Sequence, residues 1–200
     1  MKKPLTLLSA ALVVVTVACG SDIDDPSAVV TGPASDTTDV TTASATGDAS
    51  FPITIDHAFG ETTIEAEPQR VVSIGYGEHD GLLAIGVVPI AVRDWYGDQP
   101  YATWPWAQDE LGEATPEVLA STELNFEQIA ALDPDLIVGI SSGMTDTDYE
   151  TLSAIAPTVA RPADSSDYGT PWDVALGITG RATGRSDEAA QVTAATEQLF

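Results

Sequence analysis

The sequence predicts an α/β layered fold, and three observations carry that prediction. From Phe51 onward, short apolar runs alternate with segments of helical periodicity, the rhythm of strands crossing over through helices. One of those runs, Leu136-Ile137-Val138-Gly139-Ile140, is apolar nearly throughout, as a parallel strand covered on both faces must be. Glycine and proline stand at the boundaries between runs. About 150 residues of the 200 take part, enough for one domain with a sizeable core.

The chain before Phe51 is of another kind. Met1-Lys2-Lys3 is followed by an apolar run over residues 5–17, and then by Val17-Ala18-Cys19-Gly20, so residues 1–18 read as a signal peptide. The run is about a dozen residues long, short of the roughly 20 that span a bilayer. Cys19 is the only cysteine, so no intrachain disulfide forms and an exported domain must rely on its core. Cys19 and the small residues before it resemble the lipobox of bacterial lipoproteins, with Thr16 where Leu is usual; the other reading is an ordinary cleavage site beside an incidental cysteine. Residues 19–50, rich in Ser, Thr, Ala, Asp and Gly, have too little periodic apolar surface to offset the entropy of ordering, and read as a polar tether behind a lipidated Cys19.

Charge excludes some partners. The formal net charge is -24, and both lysines lie within the signal peptide, leaving five arginines beyond it. Nucleic acid and anionic lipid surfaces are poor partners for such a chain.

Within the folded part, Ile53-Thr54-Ile55 and Thr62-Thr63-Ile64 alternate around Ala58-Phe59-Gly60-Glu61 and predict a hairpin. Residues 70–74 form a buried strand, 75–77 a loop, and 78–85 a short helix stopped by Gly86. A second strand covers 87–92, starting late or lying near an edge because of Pro89. Asn125 caps the next helix, with Gln128 completing a capping box, and Asp133-Pro134-Asp135 ends it. After the strand at 136–140, Tyr149, Leu152, Ile155 and Ala156 mark a helix and Thr158-Val159-Ala160 a further strand.

Pro171 behind Thr170 opens a helix over 172–184, and Ser186 opens another whose apolar face runs through Val192, Ala195 and Leu199. That stripe still runs at Phe200 with no capping residue or closing glycine, so a chain cut short or lacking a partner half is expected.

The order of these features, with Arg70-Val71-Val72-Ser73, Asn125-Phe126-Glu127-Gln128-Ile129-Ala130-Ala131-Leu132-Asp133-Pro134-Asp135-Leu136-Ile137 and Gly177-Ile178-Thr179-Gly180-Arg181-Ala182-Thr183-Gly184-Arg185, resembles the ferric-siderophore and cobalamin class of ABC-transporter binding proteins. The resemblance implies the N-terminal lobe of a two-lobed, helix-linked (class III) periplasmic-binding-protein fold with a mostly parallel sheet flanked by helices. Residues 51–165 would be that lobe and 166–200 the start of the inter-lobe connecting helix, the second lobe being absent. It further implies a lipid-anchored receptor on the extracytoplasmic face of the cell membrane, with ABC permease subunits and a ferric siderophore as partners and no cofactor of its own. Cobalamin or haem on the same scaffold, and a one-lobed interaction protein without transport, are the alternatives.

In doubly wound folds ligands gather at the carboxyl ends of the strands. Those ends carry Tyr76 and Gly77, then Arg93, Trp95 and Tyr96, then Ser142 and Met144. The aromatics offer faces to a bulky iron complex. Arg93 offers directional charged donors to an anionic one, or else pairs with Asp94 at the surface. Trp104 and Trp106 are weaker candidates. The resemblance adds Ser121 to the pocket and makes Glu127 a contact for permease arginines; without it, Glu127 reads as a first-turn glutamate favouring the helix N-terminus. His57 and His79 are too few for a metal centre, and Glu78-His79-Asp80 reads as a solvated helix start. No H-E-x-x-H, P-loop or C-x-x-C motif occurs, so the reading is of a binding protein without catalysis.

Overall fold

The computed structural model describes residues 50–200; the expected signal peptide, Cys19 and the expected tether up to residue 49 lie outside the described residues. Strands β1 (Ile53–His57) and β2 (Gly60–Ile64) form the expected hairpin, with Ile53 opposite Ile64 and His57 opposite Gly60. Their period-two pattern turns Ile55 and Ile64 inward.

The main sheet has five parallel strands: β3 (Val71–Ser73), β4 (Ala91–Arg93), β5 (Glu117–Leu119), β6 (Leu136–Gly139) and β7 (Thr158–Ala160), in the order β5-β4-β3-β6-β7. The helices are α1 (Glu78–Ala84), α2 (Gln108–Leu111), α3 (Phe126–Ala131), α4 (Asp146–Ser153), α5 (Trp172–Thr183) and α6 (Ser186–Glu197).

Alternate residues of the central strands feed two cores on opposite faces. Val72, Ile74 and Ile137 pack with Ile129 of α3 and Leu152 of α4, whereas Val71, Leu136 and Val138 pack with Leu82 of α1, Ala182 of α5 and the hairpin's Ile55 and Ile64. Every residue of β3, β4, β6 and β7 is buried, and β6, which has no polar residue, is the strand that reads as a continuous apolar run.

The local departures have local causes. β4 begins at Ala91, because Pro89 has no N–H to give the ladder. β5 escapes sequence reading since it is an edge strand with only Leu119 buried. Gln128 donates its backbone N–H to the Asn125 side chain at 3.0 Å, but its own amide turns to the Glu117 carboxylate at 2.6 Å, so the expected box is half made. A complete box caps α4 instead, between Thr145 and Asp148. Pro171 takes the position before the first turn of α5, and Thr170 makes no cap.

Gly180 admits α6 to α5: a Cβ there would stand 2.5 Å from the Ala189 Cβ. On α6 it is Ala189 that is buried and Val192 half-buried, while Ala195 and Leu199 of the expected stripe are exposed. Among the described residues no helix is long and apolar enough to cross a membrane.

Candidate ligand-binding site

Strands β3, β4 and β5 run out to one side of the sheet and β6 and β7 to the other, so the winding reverses between β3 and β6. The crevice outside the carboxyl ends of that pair is where such a sheet is open to a ligand. Two backbone bonds hold its lips together, from Ile74 N–H to Val138 O at 2.9 Å and from Tyr76 N–H to Ser141 O at 3.1 Å.

The floor of the crevice is polar and closed. Arg93, the last residue of β4, is only 6% exposed. Its guanidinium donates to the carbonyls of Ile74 (3.4 Å), Ser142 (3.1 Å) and Thr122 (3.5 Å), and its central carbon lies 4.4 Å from the centre of the Tyr76 ring. One side chain thereby joins the loops after β3, β5 and β6. The alternative surface pair with Asp94 does not form among the described residues.

Ser142 locks the β6 loop by donating to Gly139 O (2.8 Å) and accepting from Met144 N–H (3.2 Å). Met144 is buried in the core beside Ile74, not presented to the crevice, because Gly139 leaves room for its methyl group.

Glu78 is equally internal. Gly77, left-handed at φ 81°, turns the chain into α1 and swings the Glu78 carboxylate back over Gly75, where a Cβ would stand 2.2 Å from the carboxyl carbon. Oε1 accepts from Ser141 N–H, and Oε2 is buried without a partner among the described residues. Burial pushes the carboxyl up to about 7, against the pull of the backbone groups of Ser141, Gly75 and Ile140.

His79 is buried too, donating from Nε2 to Ala102 O at 3.0 Å, and burial holds its pKa below the ordinary value against the opposing charge of Asp80. The solvated helix start expected for Glu78 and His79 is thus replaced by an interior one. Both histidines serve structure: His57 bonds Thr62 Oγ1 at 2.8 Å, inside the hairpin. No group of three or more metal-ligating side chains occurs among the described residues.

Above this floor runs an aromatic ridge. Tyr168 and Trp95 each stand 5.9 Å from Tyr76; Trp95 meets Tyr96 edge-on at 4.5 Å, Tyr96 leads to Trp104 at 5.1 Å, and Trp104 stacks on Trp106 at 5.0 Å. Tyr76 is fixed from beneath, its hydroxyl donating to Ser121 O at 2.5 Å. Trp95, Tyr96, Trp106 and Tyr168 are exposed, a costly arrangement in water unless something covers them. Beside the ridge a groove of about 480 Å³ is lined by Tyr76, Glu78, Trp106 and Trp172 among others.

A family profile decides what this geometry belongs to: that of the periplasmic binding proteins matches residues 71–199. The chain belongs to the periplasmic binding protein family. The solved structure of a periplasmic solute binding protein from Mycobacterium smegmatis is 46% identical, with a TM-score of 0.70 over 73% of this chain and 51% of that one. The Streptococcus pneumoniae protein PiaA, solved in complex with ferrichrome, is 34% identical with a TM-score of 0.64, over 73% of this chain and 49% of that one. The curated protein named "Probable siderophore-binding lipoprotein YfiY" of Bacillus subtilis is 34% identical over 143 residues, 70% of this chain and 41% of its own length. The chain therefore spans about half the length of these relatives or less.

Of the residues singled out from sequence, this binding-protein fold brings Tyr76, Gly77, Arg93, Trp95 and Tyr96 together at one crevice. Ser121 reaches it through its backbone carbonyl, and Ser142 through its carbonyl to Arg93. Glu127 stands apart, exposed in the first turn of α3. Sequence reading missed Tyr168, which lies in the polar loop after β7 with its hydroxyl packed over Gly143. The available signal was an aromatic beside Gly169 just beyond a strand.

Proposed function

We propose that this chain forms one wall of the ligand cleft in a lipid-anchored receptor that hands ferric siderophores to an ABC permease, without catalysis. The observation that carries the reading is the exposed aromatic ridge above a bonded floor at the sheet's switch point. A ridge of that kind offers a bulky complex several ring faces at little entropic cost, since the Arg93 bonds already fix the loops. Family membership and the relatives' printed names, a siderophore-binding lipoprotein and a protein holding ferrichrome, support the same reading.

Within it, residues 51–165 are the first lobe, residues 166–200 begin the connector, Cys19 carries the lipid, and Glu127 meets the permease. Tyr76, Trp95 and Tyr96 touch the ligand, while Arg93, Ser142 and Met144 hold the loops beneath them. Titration of the full-length protein by tryptophan fluorescence against ferric siderophores, cobalamin and haem tests the proposal. Saturable quenching by a ferric siderophore is expected; quenching by haem or cobalamin alone would move the ligand to a tetrapyrrole. Silence across the panel would leave an interaction protein.

A further inference from the structure

The charges around the crevice narrow the ligand class further. Loops leaving the carboxyl ends of the five parallel strands cover residues 74–77, 94–107, 120–125, 140–145 and 161–171. In those loops and the strand ends beneath them, the basic residues are Arg93 and Arg161. Both are engaged within the chain, Arg93 in the interior and Arg161 at the surface. Arg93 spends its two terminal nitrogens on the carbonyls of Ile74, Ser142 and Thr122 under the Tyr76 ring, and its Nε is buried away from the crevice mouth without a partner among the described residues. Arg161 pairs with Asp167 at 2.8 Å and donates to Ser165 O at 2.7 Å.

The same loops carry Asp94, Asp98, Glu123 and Asp164, none in an ion pair among the described residues, and Asp98, Glu123 and Asp164 are exposed. A ligand settling on the ridge lies on ring faces, among loops that carry these carboxylates. Three monoanionic hydroxamates cancel the charge of iron(III), whereas three dianionic catecholates, or citrates, leave the complex negative. A negative complex would approach the exposed carboxylates with the nearby guanidinium groups already engaged, and Coulomb repulsion would work against it. An uncharged complex meets no such penalty, and a cationic one gains from the ring faces.

We infer that this face selects uncharged or cationic ferric trihydroxamate complexes over polyanionic ferric complexes. The inference rests on the binding role proposed above. Its test is a titration of the full-length protein with ferrichrome, the cationic ferrioxamine B, the tris-catecholate complex of enterobactin and iron(III) citrate, at low and high ionic strength. The two hydroxamates are expected to bind at least about tenfold more tightly than the two anions at low salt, with the gap narrowing as salt screens the repulsion.

The double substitution Asp98→Asn and Glu123→Gln is expected to narrow the gap at low salt as well. Anions bound as tightly as ferrichrome, or a ratio that the double variant leaves where it was, would overturn the charge selection while leaving a ferric-complex receptor intact. If no ferric complex binds, the receptor reading falls and the inference with it.

Discussion

The floor and the rim of the crevice lie at the same carboxyl ends of the sheet yet obey opposite rules. On the floor, Arg93, Ser142 and Glu78 are buried and bonded to backbone; on the rim, Trp95, Tyr96, Trp106 and Tyr168 are exposed and meet other rings, Trp95 with Tyr96, Trp106 with Trp104 and Tyr168 with Tyr76. A cation at the end of a parallel strand has two sets of claimants: a ligand above, and the carbonyls of neighbouring loops beside it. Here the carbonyls win, because the crossover order places loops after β3, β5 and β6 within reach of Arg93. On the proposed reading, affinity is then left to the rings, and rigidity to the guanidinium.

The difference is sharpest in unfolding. Arg93→Met removes donors from three carbonyls, two of them over buried parts of the loops, and is expected to lower the unfolding free energy by about 2–4 kcal/mol. Trp95→Ala, on the rim, should cost under about 1 kcal/mol. Urea denaturation of both variants checks the pair. A stable Arg93→Met that no longer binds ligand would make Arg93 an anchor and erase the distinction.

Glu78 tests the floor through pH. Its carboxyl stands at about 7 in the folded protein against an ordinary value of 4.5, so between those limits the folded state holds the proton more firmly than the unfolded chain does. The contribution is fully present below about pH 4.5 and is lost as pH rises through 7, on the order of 3 kcal/mol in all. Glu78→Gln, uncharged at every pH, is expected to be less stable than or equal to the parent near pH 4.5 and to overtake it above pH 7. Parallel stability curves for the two proteins would show that Glu78 is not buried as described.

On the rim the expected effects are smaller and concern the ligand. Trp95→Ala should weaken binding of a ferric siderophore roughly tenfold, the worth of one well-placed ring. Trp106→Ala, at the far end of the ridge, should weaken it less. Equal effects would extend the contact over the whole ridge, and a null result at both would confine the ligand to the Tyr76 and Tyr168 end.

The fold was largely legible because its signals are local and repeated. Gly86 stops α1 at φ 77°, Asn125 caps α3, and the run over residues 136–140 is buried from Leu136 through Ile140. β5 was not legible, since an edge strand with one buried residue carries no period. The crevice was legible as a place and not as a set of side-chain directions. Nothing in Arg93-Asp94-Trp95-Tyr96 says that the arginine turns under Tyr76 while the next two rings turn out; that depends on carbonyls from 19, 29 and 49 positions away. Glu78 was misjudged for the same reason: a glutamate at a helix start is normally solvated, and only the missing Cβ of Gly75 and the approach of Ser141 draw it inside.

Glu127 carries the smallest structural effect and marks the far limit of the comparison, because it belongs to neither floor nor rim. It is exposed in the first turn of α3, where a negative charge near the unpaired N–H groups is worth about 0.3–1 kcal/mol. Glu127→Asp keeps that charge, and Glu127→Gln removes it. If the residue only steadies its helix, Gln should cost those few tenths, Asp almost nothing, and uptake of the ferric complex by whole cells should be unaffected by either. If it docks on permease arginines, uptake should fall sharply with Gln, and also with Asp, whose shorter arm misses the guanidinium, while ligand affinity stays at the parent value in both. Stability cannot distinguish these roles, since the dipole term is present in each. The aspartate separates them, being neutral for the helix and costly for the docked pair.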